Sequence, residues 1–448
     1  MTGTRKIALL ILCAVFVLLM FGCGASDTDA VVTEAMPEVI HEITVLPADT
    51  MVTNPVIVEI PTEPEPSEEI AKNEPVDFAP VKLAQQITEN YQIRIDGYSC
   101  NLDLADDNYW TKRYIKPEQK LSIVSDEAFS SVYLEWDQIP GEYILLWENG
   151  QMKCGAMGFF HEYVTLPEPV NSVEFLFEAD VSRVLCDADI FTDGIAPDHV
   201  QAWLPPCDDA DILVFPTHSD DDVLFFGPLM SYYALEHGLT VQSAFMVEHR
   251  GSPERNHERL NGLWELGIRH YPILGTAPDT SEAELYFALR YYKDINIEQW
   301  QVEQIRRFRP LVVVGHDIDG EYGNGGHKVN THYLITAVEA AADALMYPDS
   351  AEAFGVWDTP KFYLHLYPEN EIILDVNIPM SADPLNRTPF QVAEEAFQCH
   401  LSQHHYGFRV QQGEWRATDC RPFGLYRSLV GLDQNAEIME NIDPADWR

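Results

Sequence analysis

The sequence predicts an α/β chain, a parallel sheet flanked by helices, preceded by an antiparallel β-sandwich. Three observations predict it. From 207 onward, strand-like and helix-like runs alternate, the pattern of successive βαβ units. From 89 to 205, short apolar runs are separated by turn residues and show no long helical period. Between the two habits, the apolar run Asp211 to Phe215 ends in His218, Asp220, Asp221 and Asp222 before a helical period begins at Val223. In an open parallel sheet, ligands bind beyond the carboxyl ends of the strands, so the third observation also places a site.

Taken in order, residues 1–23 form a targeting segment. Arg5 and Lys6 are its charged region, and Ile7 to Phe21 is a continuous apolar run. That run is shorter than the about 20 apolar residues of a membrane-spanning helix and has signal-peptide order. Gly22-Cys23 resembles a bacterial lipobox, with Cys23 as the site of lipid attachment and first residue of the mature chain. Both this reading and an uncleaved anchor place the remainder outside the cytoplasmic membrane, on its extracellular face. Residues 24–88 are rich in Glu, Asp, Pro and Thr, with Pro-Thr-Glu-Pro-Glu-Pro at 61–66. Such a segment cannot bury enough apolar surface to offset its ordering entropy. It reads as a disordered acidic tether.

The expected strands of the next segment, 89–205, include Gln92 to Ile95, Leu121 to Val124, Val132 to Trp136, Tyr143 to Trp147 and Val173 to Phe177. Its aromatics, Tyr109, Trp110, Trp136, Trp147, Phe159, Phe160 and Tyr163, have two readings. Core packing is the commoner fate of such residues. Sugar stacking, as in discoidin-like carbohydrate-binding modules, is the functional alternative. From 206 to 448 the expected elements are strands at Leu239 to Val247, His270 to Leu274, Pro310 to Gly315 and Lys361 to Leu366. Helices are expected at Val223 to His237, Pro253 to Leu266, Glu282 to Phe308 with a break near Ile295, His327 to Leu345, and Gln391 to Gln403.

Charge and cysteines bound the chemistry. With 28 Lys and Arg against 72 Asp and Glu, the formal net charge is −44. Nucleic acid and anionic surfaces require positive charge and are excluded as partners on that ground. Of eight cysteines, six lie beyond Cys13 and Cys23. An exported chain permits disulfides, and six cysteines allow 15 pairings. Free buried thiols are the other reading. None has CxxC spacing, so the cysteines do not read as a metal cluster.

The chemistry sits at 218–222. His218 and Asp221 are three apart, which puts them on one face of a first helical turn. Imidazole nitrogen and carboxylate oxygen are both good zinc ligands. Asp220 points elsewhere and is free to take a proton from water at a metal's open position. The bland alternative is that Asp220 to Asp222 only cap a helix and complement its dipole. Further on, the glycine-rich loop 316–326 carries His316, Asp317, Asp319 and Glu321, and His327 opens the helix after it.

Four segments in order carry a resemblance. His218-Ser-Asp-Asp-Asp222 resembles the HPDDE box of the PIG-L (LmbE-like) zinc N-deacetylases. Arg255-Asn-His-Glu258 with Leu266-Gly267 resembles that family's RxxE helix. Gly320-Glu-Tyr-Gly-Asn-Gly-Gly-His327 resembles its GEYGHxxH loop, and Cys399-His-Leu-Ser-Gln resembles the end of its last helix. The resemblance covers roughly 207 to 405. It implies a Rossmann-like hydrolase with one zinc ion per chain, held by His218, Asp221 and His327. It also implies Asp220 as general base, Tyr322 as oxyanion donor, Arg255 at the substrate, and an N-acetylated sugar as substrate. Ser219 stands where Pro is usual, Asp222 where Glu is usual, and Asn324 where a catalytic His is expected. Asn can donate a hydrogen bond but cannot shuttle a proton. The expected activity is removal of an acetyl group from an N-acetylated amino sugar. The rivals are a catalytically weakened surface carbohydrate-binding protein and a metal-dependent amidase acting on a non-sugar amide.

Overall fold

The structure, a computed structural model, describes residues 82–177, 181–249, 251–413 and 415–448. The targeting segment, Cys23 and most of the acidic tether lie outside them. All the described residues belong to one compact unit. Among them, no helix is long and apolar enough to cross a membrane.

The first part is an eight-stranded sheet whose pairings are all antiparallel. Its strands are β1 (Tyr91–Ile95), β2 (Tyr98–Ser99), β3 (Arg113–Ile115), β4 (Leu121–Trp136), β5 (Tyr143–Trp147), β6 (Gly150–Cys154), β7 (His161–Phe177) and β8 (Arg183–Phe191). A single turn, α1 (Asn101–Leu104), interrupts them. The runs expected as separate strands at Leu121 to Val124 and Val132 to Trp136 are one strand. The polar stretch between them reads as a loop, but the pairing with β7 continues across it through two register shifts. The first shift leaves three extra residues on β4 and the second three on β7, so the strand bends without ending. Along its length β4 passes from β1 to β8 as its second neighbour.

The aromatics divide as their surroundings dictate. Trp136, Phe159 and Phe160 are buried, whereas Trp110 is 52% exposed. Ala84 and Ile87 already pack into the buried clusters of this part.

The second part is a seven-stranded sheet in the order β11-β10-β9-β12-β13-β15-β14. The strands are β9 (Ile212–Val214), β10 (Val241–Glu248), β11 (Ile273–Pro278), β12 (Val312–Gly315), β13 (Lys361–His365), β14 (Glu371–Ile373) and β15 (Pro422–Ser428). Pairings from β11 through β13 are parallel; β15 runs antiparallel to both β13 and β14. The chain therefore builds outward from β9 through β10 to β11, then returns to lay β12 on the other side of β9. The order reverses at that point, between β9 and β12, where a parallel sheet leaves a crevice for ligands.

Strand side chains point alternately to the two faces, and each face has its own core. Ile212, Val214, Val312 and Val314 pack with α3 (Gly227–Ser231), α4 (Glu254–Glu265) and α9 (Pro389–Gln398). Leu213, Phe215, Val313 and Leu364 pack with α6 (Ile297–Phe308) and α7 (Gly325–Ala341). Burial on both faces explains the unbroken Val-Val-Val of β12.

The helix expected from Val223 to His237 is three pieces: α2 (Asp221–Leu224), α3, and a wide turn over Tyr232–Glu236. Pro228, one residue into α3, has no N–H to give and opens a new helix instead of continuing the old one. The expected break near Ile295 separates α5 (Leu285–Tyr291) from α6, and α8 (Pro348–Phe354) follows α7.

Cys100, Cys154, Cys186, Cys207, Cys399 and Cys420 are all unpaired thiols.

Candidate metal centre

Beyond the ends of β9 and β12, the chain brings three ligating atoms together. His218 Nδ1 lies 3.2 Å from Asp221 Oδ2 and 3.1 Å from His327 Nε2. The third side, from His327 Nε2 to Asp221 Oδ2, is 3.2 Å. His218 and Asp221 come from the turn after β9, and His327 from the first turn of α7. All three are buried.

Hydrogen bonding around the triangle fixes which nitrogen faces inward. His327 Nδ1 lies 2.7 Å from Glu321 Oε2, so the proton sits there and Nε2 is bare. His218 Nε2 lies 3.2 Å from Asp279 Oδ1, which leaves Nδ1 bare. Asp221 Oδ2 accepts the backbone N–H groups of Thr217 and His218. With both imidazoles neutral, three lone pairs thus meet at one point.

Such an arrangement is repulsive unless positive charge, an ion or a proton, sits at its centre. Four-coordinate zinc with ligands at about 2.0–2.1 Å spaces them at ~3.3 Å, and the three sides match that spacing. The electrostatics agree. Burial works against charging His218 and His327, yet Asp221 pushes them up to about 9 and about 10. Burial likewise opposes charge on Asp221, while His327 and His218 hold it well below the usual carboxylate range. The residues fit a divalent cation.

Asp220 lies beside the triangle, 2.5 Å from Arg255 Nη2 through Oδ1. Burial raises its carboxyl, against the pull of Arg255. Arg255, expected at the substrate, is thus placed on Asp220. No protein-family model matches the sequence. A 1D-myo-inositol 2-acetamido-2-deoxy-alpha-D-glucopyranoside deacetylase 2 of Saccharopolyspora erythraea is 30% identical over 246 residues, 48% of this chain and 82% of that protein.

The chain belongs to the PIG-L (LmbE-like) deacetylase family.

A 1D-myo-inositol 2-acetamido-2-deoxy-alpha-D-glucopyranoside deacetylase 1 of Catenulispora acidiphila is 25% identical over 185 residues, 36% of this chain and 56% of its own. Among solved structures, an N,N'-diacetylchitobiose deacetylase from Pyrococcus horikoshii aligns at 18% identity and a TM-score of 0.33. That alignment covers 44% of this chain and 72% of the archaeal one. A pectin-binding carbohydrate-binding module aligns at 12% identity and a TM-score of 0.20, over 25% of this chain and 96% of its own.

In this PIG-L-family chain the loop before α7 is tightly built. Gly320 has φ +68°, and a Cβ there would lie 2.4 Å from the Asn324 carbonyl. Tyr322 itself takes φ +45°, a costly conformation for a large side chain. That backbone sets the Tyr322 ring 5.5 Å from the His327 ring, at 45% exposure. Asn324 turns back to cap α7: its Oδ1 accepts from the N–H groups of Gly326 at 2.7 Å and His327 at 3.2 Å.

Asp279 and His249 were not singled out from the sequence, and Glu321 and His316 were named only as members of their loop. Glu321 is fully buried and takes three imidazoles, from His316, His327 and His365, at 2.7–2.8 Å. His365 is therefore part of the support of the centre. His400 is buried behind α4. Asp279 and His249 border a cavity of about 420 Å³ next to the triangle, with Glu248, Ser252, Thr276 and Pro278. Both follow parallel strands directly, β11 and β10, and that position was the available signal.

Ser219 has a use as well. Its Oγ accepts from Arg259 Nε at 3.1 Å and Nη2 at 2.6 Å, which pins the turn to α4. Asp222 lies fully buried near the charge of Arg259, and burial pushes its carboxyl well above the usual range.

Proposed function

We propose that this chain hydrolyses the amide of an N-acetylated amino sugar, releasing acetate, with one zinc ion held by His218, Asp221 and His327. The observation that carries the reading is the triangle of bare lone pairs with the Asp220 carboxylate beside it. The two relatives, both named deacetylases of an acetamido-deoxy-glucopyranoside, support a sugar derivative as substrate.

Zinc in such a site supplies Lewis acidity toward the acetyl carbonyl and toward water. The chain supplies the rest. Arg255 holds Oδ1 of Asp220, and Asp220 accepts the proton of the attacking water and returns it to the departing amine. Tyr322 donates to the oxyanion from the rim, a contribution of about 3 kcal/mol for a well-placed donor. Asn324 steadies the loop through its cap and leaves proton transfer to Asp220. The 420 Å³ cavity beside Asp279 receives the sugar.

The wider reading is of an exported protein. Residues 1–23 direct export, Cys23 carries the lipid, and 24–88 tether the folded part to the outer face of a bacterial membrane. Residues 89–205 form a β-sandwich that binds carbohydrate, and 206–448 a Rossmann-like deacetylase domain.

The test is acetate release from a panel of N-acetylated amino sugars and non-sugar amides. Release from a sugar, lost in Asp220→Asn while zinc remains bound, is the expected outcome. Release from a non-sugar amide alone would move the substrate class. The cap on Asn324 favours a second reading, a protein that grips sugar without cleaving it. Its signature is sugar binding with no acetate released, and a gain of turnover in Asn324→His.

A further inference from the structure

A second buried group of ligating side chains lies apart from the triangle, where the antiparallel sheet meets α4. Asp137 follows β4, Cys186 lies on β8 and His257 lies on α4. Their ligating atoms all fall within 4.8 Å of one another. In sequence they are far apart, with 49 positions between Asp137 and Cys186 and 71 between Cys186 and His257. Cysteine spacing therefore gave no sign of them.

A chain of hydrogen bonds decides which nitrogen of His257 faces the thiol. Trp203 Nε1 donates to Gln201 Oε1 at 3.0 Å, and Gln201 Nε2 donates to Asn261 Oδ1 at 2.6 Å. Gln201 Oε1 is thus an acceptor, and His161 Nδ1, 2.7 Å away, must donate to it. His161 Nε2 is then bare and accepts from His257 Nδ1 at 2.8 Å. The chain ends with a bare His257 Nε2 facing Cys186 Sγ at 3.8 Å. Tyr109 stacks flat over the His257 ring, with centroids 5.0 Å apart and planes 9° apart, and holds its orientation.

The last distances separate two explanations. Cys186 Sγ is 3.8 Å from His257 Nε2 and 3.9 Å from Asp137 Oδ1. Both are at the outer limit for a hydrogen bond to sulfur. Both are close to the ~3.5 Å that separates a thiolate from nitrogen or oxygen ligands around four-coordinate zinc, given Zn–S of about 2.3 Å and Zn–N of about 2.0 Å. A metal-ligating histidine typically gives its other N–H to an oriented acceptor, as His257 gives Nδ1–H to His161. Lys112 Nζ sits 2.8 Å from Asp137 Oδ1, so the carboxylate is shared between the ammonium and the ion. Cys186 and His257 are wholly buried, which argues against a catalytic thiol and for a structural ion.

We infer that Asp137, Cys186 and His257 hold a second divalent cation of zinc's class, distinct from the one at His218, Asp221 and His327. Thiolate, imidazole and carboxylate together are a zinc-type donor set. Binding forms a metal–sulfur bond and releases the Cys186 proton to solvent. The ion fastens the antiparallel sheet to α4, the helix whose Arg255 holds Asp220 and whose Arg259 holds Ser219.

The test counts metal in the full chain and in two variants, by elemental analysis after dialysis against trace zinc. Two ions per chain are expected in the wild type, one in His327→Ala and one in Cys186→Ser. Cys186→Ser should keep its acetate-releasing activity and melt at a lower temperature. A wild type holding only the ion removed by His327→Ala overturns the proposal. So does a Cys186→Ser variant with unchanged metal content. If Cys186→Ser does not fold, cobalt-loaded His327→Ala decides. A cobalt–thiolate charge-transfer band in the near ultraviolet supports the site, and cobalt bound without that band refutes it. The count in His327→Ala is independent of whether the first centre hydrolyses a sugar amide.

Discussion

Ser219 shows how much one side chain can differ in meaning between motif and structure. The family pattern has proline there, and the exchange looks innocuous from the sequence. In the structure its hydroxyl accepts twice from a fully buried Arg259, and its N–H lies 3.3 Å from His249 Nε2. Ser219→Pro should therefore cost about 1–3 kcal/mol of stability, the penalty for a buried donor left unpaired, as read from urea denaturation. A neutral result would mean that Arg259 finds another acceptor.

Glu321 makes the second case at this scale. It carries the N–H groups of three imidazoles and the Asp317 backbone N–H. A glutamine in its place must turn an amide N–H toward one of those donors. Glu321→Gln is expected to weaken zinc binding 10–100-fold, the usual effect of losing an outer-shell partner, measured by competition with a chelator. Unchanged affinity would show that His327 is oriented by packing alone.

At the scale of elements, α7 depends on the residue before it. Asn324 Oδ1 serves two of the first free N–H groups of a 17-residue helix whose opening turn carries His327. Asn324→Ala should lose about 1 kcal/mol, and Asn324→Asp should keep most of it. Both follow from equilibrium unfolding. Equal losses in the two variants would rule the cap out as the cause. Thr388 and Gln391 form a reciprocal cap at the start of α9, so that helix has its own stop against fraying. Strand β4 carries the complementary lesson. Its polar middle suggested a loop, and only the partner strand β7 shows that pairing persists.

Across the molecule, buried neutral histidines set a pH dependence. Burial pulls His161 down to about 4, and burial with the charges of Arg255 and Arg259 pulls His400 down to about 3. Both sit below the about 6.5 of an unfolded chain. Between those values the unfolded state binds more protons, so stability falls as pH drops from about 6.5 toward 4. The slope is about 1.4 kcal/mol per pH unit for each histidine. Burial raises Glu135, Asp187 and Asp189 to about 7, 6 and 7, which acts the other way over that range, so the His400 part is read as the difference between wild type and variant in urea midpoints of the metal-free protein. His400→Gln should remove that part, and an unaltered slope would exclude His400 as a contributor.

The sequence by itself determined the alternation of strands and helices after 207 and which three side chains meet at the candidate centre. It could do so because strand-end position, helical spacing and side-chain chemistry are local properties, legible at 218–222 and 320–327 without the rest of the chain. Which groups stand behind those ligands was decided only in three dimensions. Parallel pairing of Val214 with Val314 sets the two site loops side by side. Asp279, Glu321 and His365 arrive there from separate strands and turns, and Asp137, Cys186 and His257 converge where the antiparallel sheet meets α4. A hydrogen-bond partner is chosen by distance in the folded chain, and sequence separation carries no record of it.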